Sequence, residues 1–197
     1  PIQSIRQLRA EAMTSHVKLT LPKSLVLVGM MGAGKTSIGR RVAARLNVPF
    51  VDADDEIEAA AGCSIEDIFE TFGEAAFRDG ERRVIERLLE RPVHVLATGG
   101  GAFADADTRK AILGRCISIW LRAEPDVLWR RVSRRSDRPM LMTADPKGTL
   151  DKLIEKRYPL YAAADITVES IDGPPEDVVE AVIAAVKTYI CEEGNSA

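Results

Sequence analysis

Cysteine, histidine, long apolar runs and charge imbalance are all scarce in this chain. Its three cysteines, Cys63, Cys116 and Cys191, are odd in number and far apart, which suits a reducing compartment better than a disulfide framework and assigns them no chemistry. The two histidines, His16 and His94, have no partner at ligand spacing, so a zinc site is not expected. No segment reaches the length of a membrane-spanning helix, and the opening residues lack the apolar core of a secretory signal. Glu11 and the brevity of that stretch count against a transit peptide, and a cytoplasmic location is the expectation. Lys and Arg number 27 against 30 Asp and Glu, a net charge of -3, so bulk charge draws the chain neither to nucleic acid nor to an anionic membrane. There is no internal repeat, no low-complexity tract and no Asn-Lys-x-Asp guanine motif. A chain of 197 residues suits one domain with a flap.

What is present centres on Gly29-Met-Met-Gly32-Ala33-Gly34-Lys35-Thr36, which fills every fixed position of G-x-x-x-x-G-K-[ST]. Its glycines turn backbone N–H groups inward on an anion, Lys35 reaches the β and γ phosphates, and the Thr36 hydroxyl can ligate Mg²⁺. A chance glycine turn is the bland alternative, but the context argues against it. Leu25 to Val28 reads as a buried parallel strand and Ser37 to Leu46 as a helix, so an anion falls on the positive end of the helix dipole.

A second strand, Phe50-Val51, ends at Asp52, and Asp54 or Asp55 then caps a helix to about Ala61. Carboxyl ends of parallel strands face the ligand crevice, which brings Asp52 and Asp54 beside the phosphates. Carboxylates there repel a triphosphate unless Mg²⁺ or a substrate hydroxyl intervenes, so one suits the metal shell and the other an acceptor alcohol. Otherwise both are capping acids. Ser64 to Asp67 resembles a capping box for a short helix ending near Gly73, and a longer helix follows from about Glu74 to Glu90. On it Glu81 can orient the guanidinium of Arg78, three residues away, although most such pairs are solvated and worth little.

The third strand, Val93 to Ala97, runs into Thr98-Gly99-Gly100-Gly101, where backbone can approach a carboxylate or phosphate closely. Asp105 or Asp107 opens a helix, Cys116 to Leu121 gives strand four, and Pro125 starts the next helix. Trp120 and Trp129 read as packing residues. Arg130, Arg131, Arg134, Arg135 and Arg138 lead into Pro139 and a polar stretch to Gly148. In an acidic P-loop protein this reads as a lid bringing arginine to a transferring phosphoryl group, since aromatics are too few among the arginines for a nucleic-acid patch. Thr149 can cap a helix that carries Arg157 before Tyr158-Pro159 bends or ends it; Ile166 to Glu169 is strand five and a last helix runs to about Ile190. The alternation predicts an α/β fold with a parallel sheet of about five strands.

With the P-loop, the Asp-x-Asp after strand two, Arg78 with Glu81, the triple glycine, Arg138-Pro139 and Arg157 in order, the chain resembles the shikimate kinase family from about Leu25 to Ile190. The resemblance implies a P-loop NTPase three-layer α/β/α fold like that of nucleoside monophosphate kinases, with strand order 2-3-1-4-5 and a mobile lid. It implies transfer of the ATP γ-phosphoryl group to the 3-hydroxyl of shikimate, giving shikimate 3-phosphate and ADP on the route to chorismate and the aromatic amino acids. Domain bounds then follow as an N-terminal extension at 1–23, a kinase domain at 24–191 with its lid at about 133–148, and a tail at 192–197, working as a monomer without nucleic acid or membrane.

By the same resemblance, Gly32, Ala33, Gly34, Lys35, Thr36 and Ser37 would hold the nucleotide, with Thr36 on Mg²⁺ directly and Asp52 on it through water. Asp54 would bind the ring hydroxyls and orient or deprotonate the attacking oxygen. Arg78, Arg157 and the Gly99, Gly100 and Gly101 turn would grip the substrate carboxylate, with Glu81 behind Arg78. Arg138 would neutralise the phosphoryl group in flight and Arg131 would lie against the adenine. The chain departs from the family at Glu169-Ser-Ile-Asp-Gly173, where many members offer a basic residue to the adenine side, so the purine contacts there stay open. A gluconate-type or other small-molecule kinase is the nearest rival, and a nucleotide-dependent switch is the rival from another class.

Overall fold

The computed structural model describes residues 19–134, 141 and 143–194. Five parallel strands form one sheet in the order β2-β3-β1-β4-β5: β1 Leu25–Val28, β2 Phe50–Asp52, β3 Val95–Ala97, β4 Ile117–Arg122 and β5 Ile166–Glu169. Every residue of β1 is buried, as a central strand covered by helices on both faces requires. Leu25 sits opposite both Val95 and Ile117. With this register the chain after each strand emerges at one edge of the sheet, where Asp52 accepts from Thr36, the Thr98–Gly101 turn borders Met31 and Ser170 donates to Ala33.

The helices are α1 Lys35–Leu46, α2 Ala53–Ala61, α3 Ile65–Leu88, α4 Ala106–Arg115, α5 Pro125–Val132, α6 Pro146–Tyr161 and α7 Pro175–Gly194, with a 3-10 turn at Ala102–Ala104. Helix α3 opens on the Ser64/Asp67 capping box and kinks at Gly73, whose φ of 79° and ψ of 174° interrupt the helix; the two helical segments expected there are therefore joined end to end. Leu21 is buried in the core, so the chain before β1 already packs on the domain by that point.

Two helix starts differ from expectation. Helix α2 is capped by Asp52, one carboxylate oxygen of which accepts from the Asp54 N–H at 3.0 Å, and not by Asp54 or Asp55; the run of acids offered several candidates, and only the one with extended backbone can fill the cap. Helix α6 is capped by Asp145, accepting from the Gly148 N–H at 2.9 Å, while Thr149 lies inside and donates to the Asp145 carbonyl at 2.8 Å. Pro159 does not end this helix, which runs on to Tyr161. The last of its residues, Tyr161, donates its hydroxyl to the Gly100 carbonyl.

Candidate active site

The P-loop reaches the N-terminus of α1 through Gly34, whose φ of 92° is left-handed, and Gly32, whose φ is 82°. A Cβ on Gly32 would stand 2.9 Å from Val132 Cγ1, so α5 packs directly against the loop. Lys35 is buried, and its Nζ donates to the carbonyls of Gly29 at 2.9 Å and Met30 at 3.0 Å. The ammonium is thus drawn across the loop it belongs to. Ser37, exposed on the first turn, accepts from Arg41 at 2.8 Å. The Thr36 hydroxyl donates to Asp52 Oδ2 at 2.7 Å, so one buried carboxylate both caps α2 and meets the P-loop threonine. Two hard oxygen donors at that separation suit Mg²⁺, which prefers few protein ligands and keeps water and phosphate oxygens for the rest. Among the described residues no cluster of three His, Cys, Asp or Glu side chains could hold a metal alone.

Beside this pair opens a cavity of about 400 Å³ lined by Met31, Thr36, Asp52, Asp54, Arg78, Glu81, the three glycines and Arg157, among others. Its size is that of a small-molecule site. The glycines are required by what surrounds them. A Cβ at Gly99 would lie 2.7 Å from Glu81 Oε1 and 3.0 Å from Asp54 Oδ1, and one at Gly101 would lie 2.6 Å from Arg78 Cζ. Any side chain in the turn would fill the space between the acids and the arginine.

Arg78 donates to Glu81 Oε2 at 2.6 Å and to Glu74 at 3.2 Å, and its guanidinium lies 5.0 Å from the centroid of the Phe77 ring. The pair is no solvated surface bridge, since Glu81 is only 2% exposed. Its Oε1 is buried and accepts no hydrogen bond among the described residues. Burial, the largest influence, raises the Glu81 carboxyl above the ordinary value of 4.5; Arg78 opposes that rise and Asp54 adds to it. The folded chain therefore holds this proton to higher pH than the unfolded chain, and its contribution to stability falls as pH climbs from about 4.5 through the raised value. Glu81→Gln abolishes the contribution, so the variant is expected to gain stability relative to its parent between pH 4.5 and neutrality. Urea denaturation across that range measures it; a flat or falling difference contradicts it.

Arg131 sits on the other side of the P-loop. It donates to the Gly32 carbonyl at 3.1 Å, to Ser170 Oγ at 3.0 Å and to the Ile171 carbonyl at 2.6 Å, while Ser170 Oγ donates to the Ala33 carbonyl at 2.8 Å. The loop after β5 is thereby tied to the phosphate loop through a serine that belongs to no sequence motif. Arg138 lies outside the described residues, as do 135–140 and 142 of the proposed lid. Sequence reasoning also missed Phe69 and Phe77, whose rings pair at 4.7 Å along the cavity wall, and Tyr161. Only Tyr161 left a signal, standing four residues after Arg157 on one helix face. Cys116, buried with its thiol pushed up to about 11, is chemically quiet.

A phosphate loop at a helix N-terminus, a threonine–carboxylate pair beside it and an adjoining cavity with acids and arginines define a P-loop kinase of small-molecule acceptors. Residues 31–187 match the sequence profile of the family described as Shikimate kinase, and the chain belongs to the shikimate kinase family. The shikimate kinase of Bradyrhizobium diazoefficiens is 57% identical over 171 residues, covering 87% of this chain and 83% of that protein. That of Caulobacter vibrioides is 55% identical over 165 residues, 84% and 82% of the two chains. Shikimate kinase from Acinetobacter baumannii, solved in complex with shikimate, superposes with a TM-score of 0.82 at 37% identity, over 84% of this chain and 93% of that one. A gluconokinase from Sinorhizobium meliloti shares the fold at a TM-score of 0.60 and 19% identity, over 91% and 99%. The strand order 2-3-1-4-5 implied by the family resemblance is the one observed. As a member of a kinase family the chain takes ATP as co-substrate. Among the described residues no helix is long and apolar enough to cross a membrane.

Proposed function

We propose that the chain transfers the γ-phosphoryl group of ATP to the 3-hydroxyl of shikimate, releasing ADP and shikimate 3-phosphate. The observation that carries this reading is a cavity in which Thr36, Asp52 and Asp54 stand at the phosphate loop while Arg78, Arg157 and the glycine turn line the same space. A polyol acid needs both ends: carboxylate acceptors for its hydroxyls and guanidinium groups for its carboxylate. A neutral or flexible sugar acid gives less reason for two arginines directed to one anion.

In this reading the P-loop amides and Lys35 hold the β and γ phosphates. Thr36 and Asp52 would hold Mg²⁺, which when bound neutralises charge shared between those phosphates. Asp54 orients the acceptor hydroxyl and takes its proton, Arg78 and Arg157 fix the ring by its carboxylate, and Glu81 holds Arg78 in place. Arg131 and the Ser170–Ile171 backbone bound the adenine side. Arg138 is proposed, from the sequence alone, to reach the phosphoryl group from the lid. We also place the chain in the cytoplasm as a monomer acting without nucleic acid or membrane, on its mild net charge of -3 and its scattered cysteines.

The test is ADP release with ATP, Mg²⁺ and shikimate, run beside gluconate and nucleoside monophosphates at matched concentration. Shikimate-dependent turnover that vanishes in Lys35→Ala is the expected result. Turnover with another acceptor alone would overturn the assignment while keeping the phosphate machinery.

A further inference from the structure

The turn after β3 has three glycine carbonyls, and their partners can be traced one by one. The Gly99 carbonyl accepts from the Ala102 N–H at 3.3 Å and the Gly101 carbonyl from the Ala104 N–H at 3.0 Å, so both are used in closing the 3-10 turn. The Gly100 carbonyl points elsewhere. It accepts from Arg157 Nη1 at 3.0 Å and from the Tyr161 hydroxyl. The Arg157 guanidinium and the Tyr161 hydroxyl thus converge on one carbonyl at the end of the cavity.

Tyr161 is wholly buried, and Met30 Sδ of the P-loop stands 3.7 Å from its oxygen. A hydroxyl has one proton, and an amide carbonyl is a far better acceptor than a thioether, so the proton goes to Gly100. Burial pushes the phenol up to about 12, which keeps it a neutral donor across the working pH range. The ring itself packs against Trp120 at 5.9 Å and Phe103 at 6.4 Å. Packing therefore accounts for the ring and leaves the buried hydroxyl to be explained.

We propose that Tyr161 is a positioning residue for the acceptor: its hydroxyl locks the Gly100–Gly101 peptide and the Arg157 guanidinium together in the geometry that receives the acceptor carboxylate. This role rests on the shikimate kinase reading of the same site. Without the hydroxyl the Gly100 carbonyl keeps only one of its two donors, Arg157, so the turn and the guanidinium bonded to it gain freedom that binding must then remove. Chemistry at the phosphate end is untouched.

The experiment compares Tyr161→Phe with Tyr158→Phe in the full chain. Tyr158 lies on the same helix and spends its hydroxyl on the Ala123 carbonyl, away from the cavity, so it controls for loss of a partly buried phenol bond. Tyr161→Phe is expected to raise the KM for shikimate by on the order of 5–10-fold, with kcat and the KM for ATP within about twofold of the parent. Calorimetric affinity for shikimate alone should weaken by the same factor, and Tyr158→Phe should leave it unchanged. An unchanged shikimate KM in Tyr161→Phe, an equal rise in both variants, or a loss confined to kcat each overturns the positioning role. Failure of the parent to turn over shikimate instead overturns the functional reading, and this proposal with it.

Discussion

Asp54→Asn is expected to lower turnover with shikimate by about two to four orders of magnitude, the range of a positioned general base, while the KM for ATP stays within about twofold. The backbone sets the geometry first. Asp52 at the end of β2 caps α2 by accepting from the N–H of Asp54 itself, which fixes Asp54 on the first turn of the helix. Its Oδ1 stands 3.0 Å from the point a Gly99 side chain would occupy, so the carboxylate borders the open part of the cavity beside the P-loop threonine. Asparagine has nearly the same shape and can still bond a ring hydroxyl, but it cannot take the proton of an attacking oxygen. Affinity for the acceptor should therefore survive better than rate. Steady-state kinetics with both substrates varied gives the answer. Phosphoryl transfer leans mainly on positioning and charge, so a fall in kcat of less than about tenfold would reduce Asp54 to a binding group, and an unchanged kcat would remove it from the chemistry.

The parts of this site that are legible in the sequence are those whose physics is local. The P-loop is eight consecutive residues, and its strand and helix flank it directly. The Ser64 capping box spans four residues and forms as the residue types require. Arg78 and Glu81 are one helical turn apart and bond as their spacing predicts; what that spacing does not supply is the burial of Glu81, which comes from the β3 turn packing over it. Helix caps are hardest to assign where several suitable residues adjoin. Asp52, Asp54 and Asp55 all suit a cap by residue type, and the choice between them rests on backbone angles that residue type does not encode. At α6 the sequence does favour Asp145 over Thr149, because Pro146 follows it and proline is preferred at the first helical position.

Long-range partners left the least trace. Tyr161 reaches Gly100 across 61 residues of chain, and Ser170 reaches Ala33 across 137. The Ser170 contact exists because parallel strands bring their following loops to one edge of the sheet, and the Tyr161 contact because α6 packs on the turn after β3; both are properties of topology. The loop Glu169–Gly173, which carries no basic side chain of its own, acquires a cationic partner in the same way. Arg131, from a different helix, occupies that corner and binds the loop's own serine and carbonyl.

Arg157→Ala should cost on the order of 10²–10⁴ in kcat/KM for shikimate, nearly all of it as a higher KM, because hydrogen bonds to a charged group contribute about 1.5–3 kcal/mol each and a guanidinium fork offers two to a carboxylate. Arg157 is only 6% exposed, so its charge acts where little water screens it. The fold should tolerate the change, because the Gly100 carbonyl keeps its Tyr161 donor. Arg157→Lys preserves charge but loses the fork, and an intermediate loss is expected from it. Arg78→Ala should be milder in binding than Arg157→Ala, since its side chain is 26% exposed and shared with Glu74 and Glu81. It also leaves Glu81 buried without its cation, which favours the neutral acid. The decisive comparison uses the same ring triol lacking its carboxylate. If Arg157 grips that group, the parent enzyme should bind the truncated acceptor no better than Arg157→Ala does, and the two kcat/KM values should converge. A loss as large for the truncated acceptor as for shikimate would mean that Arg157 supports the turn and not the anion.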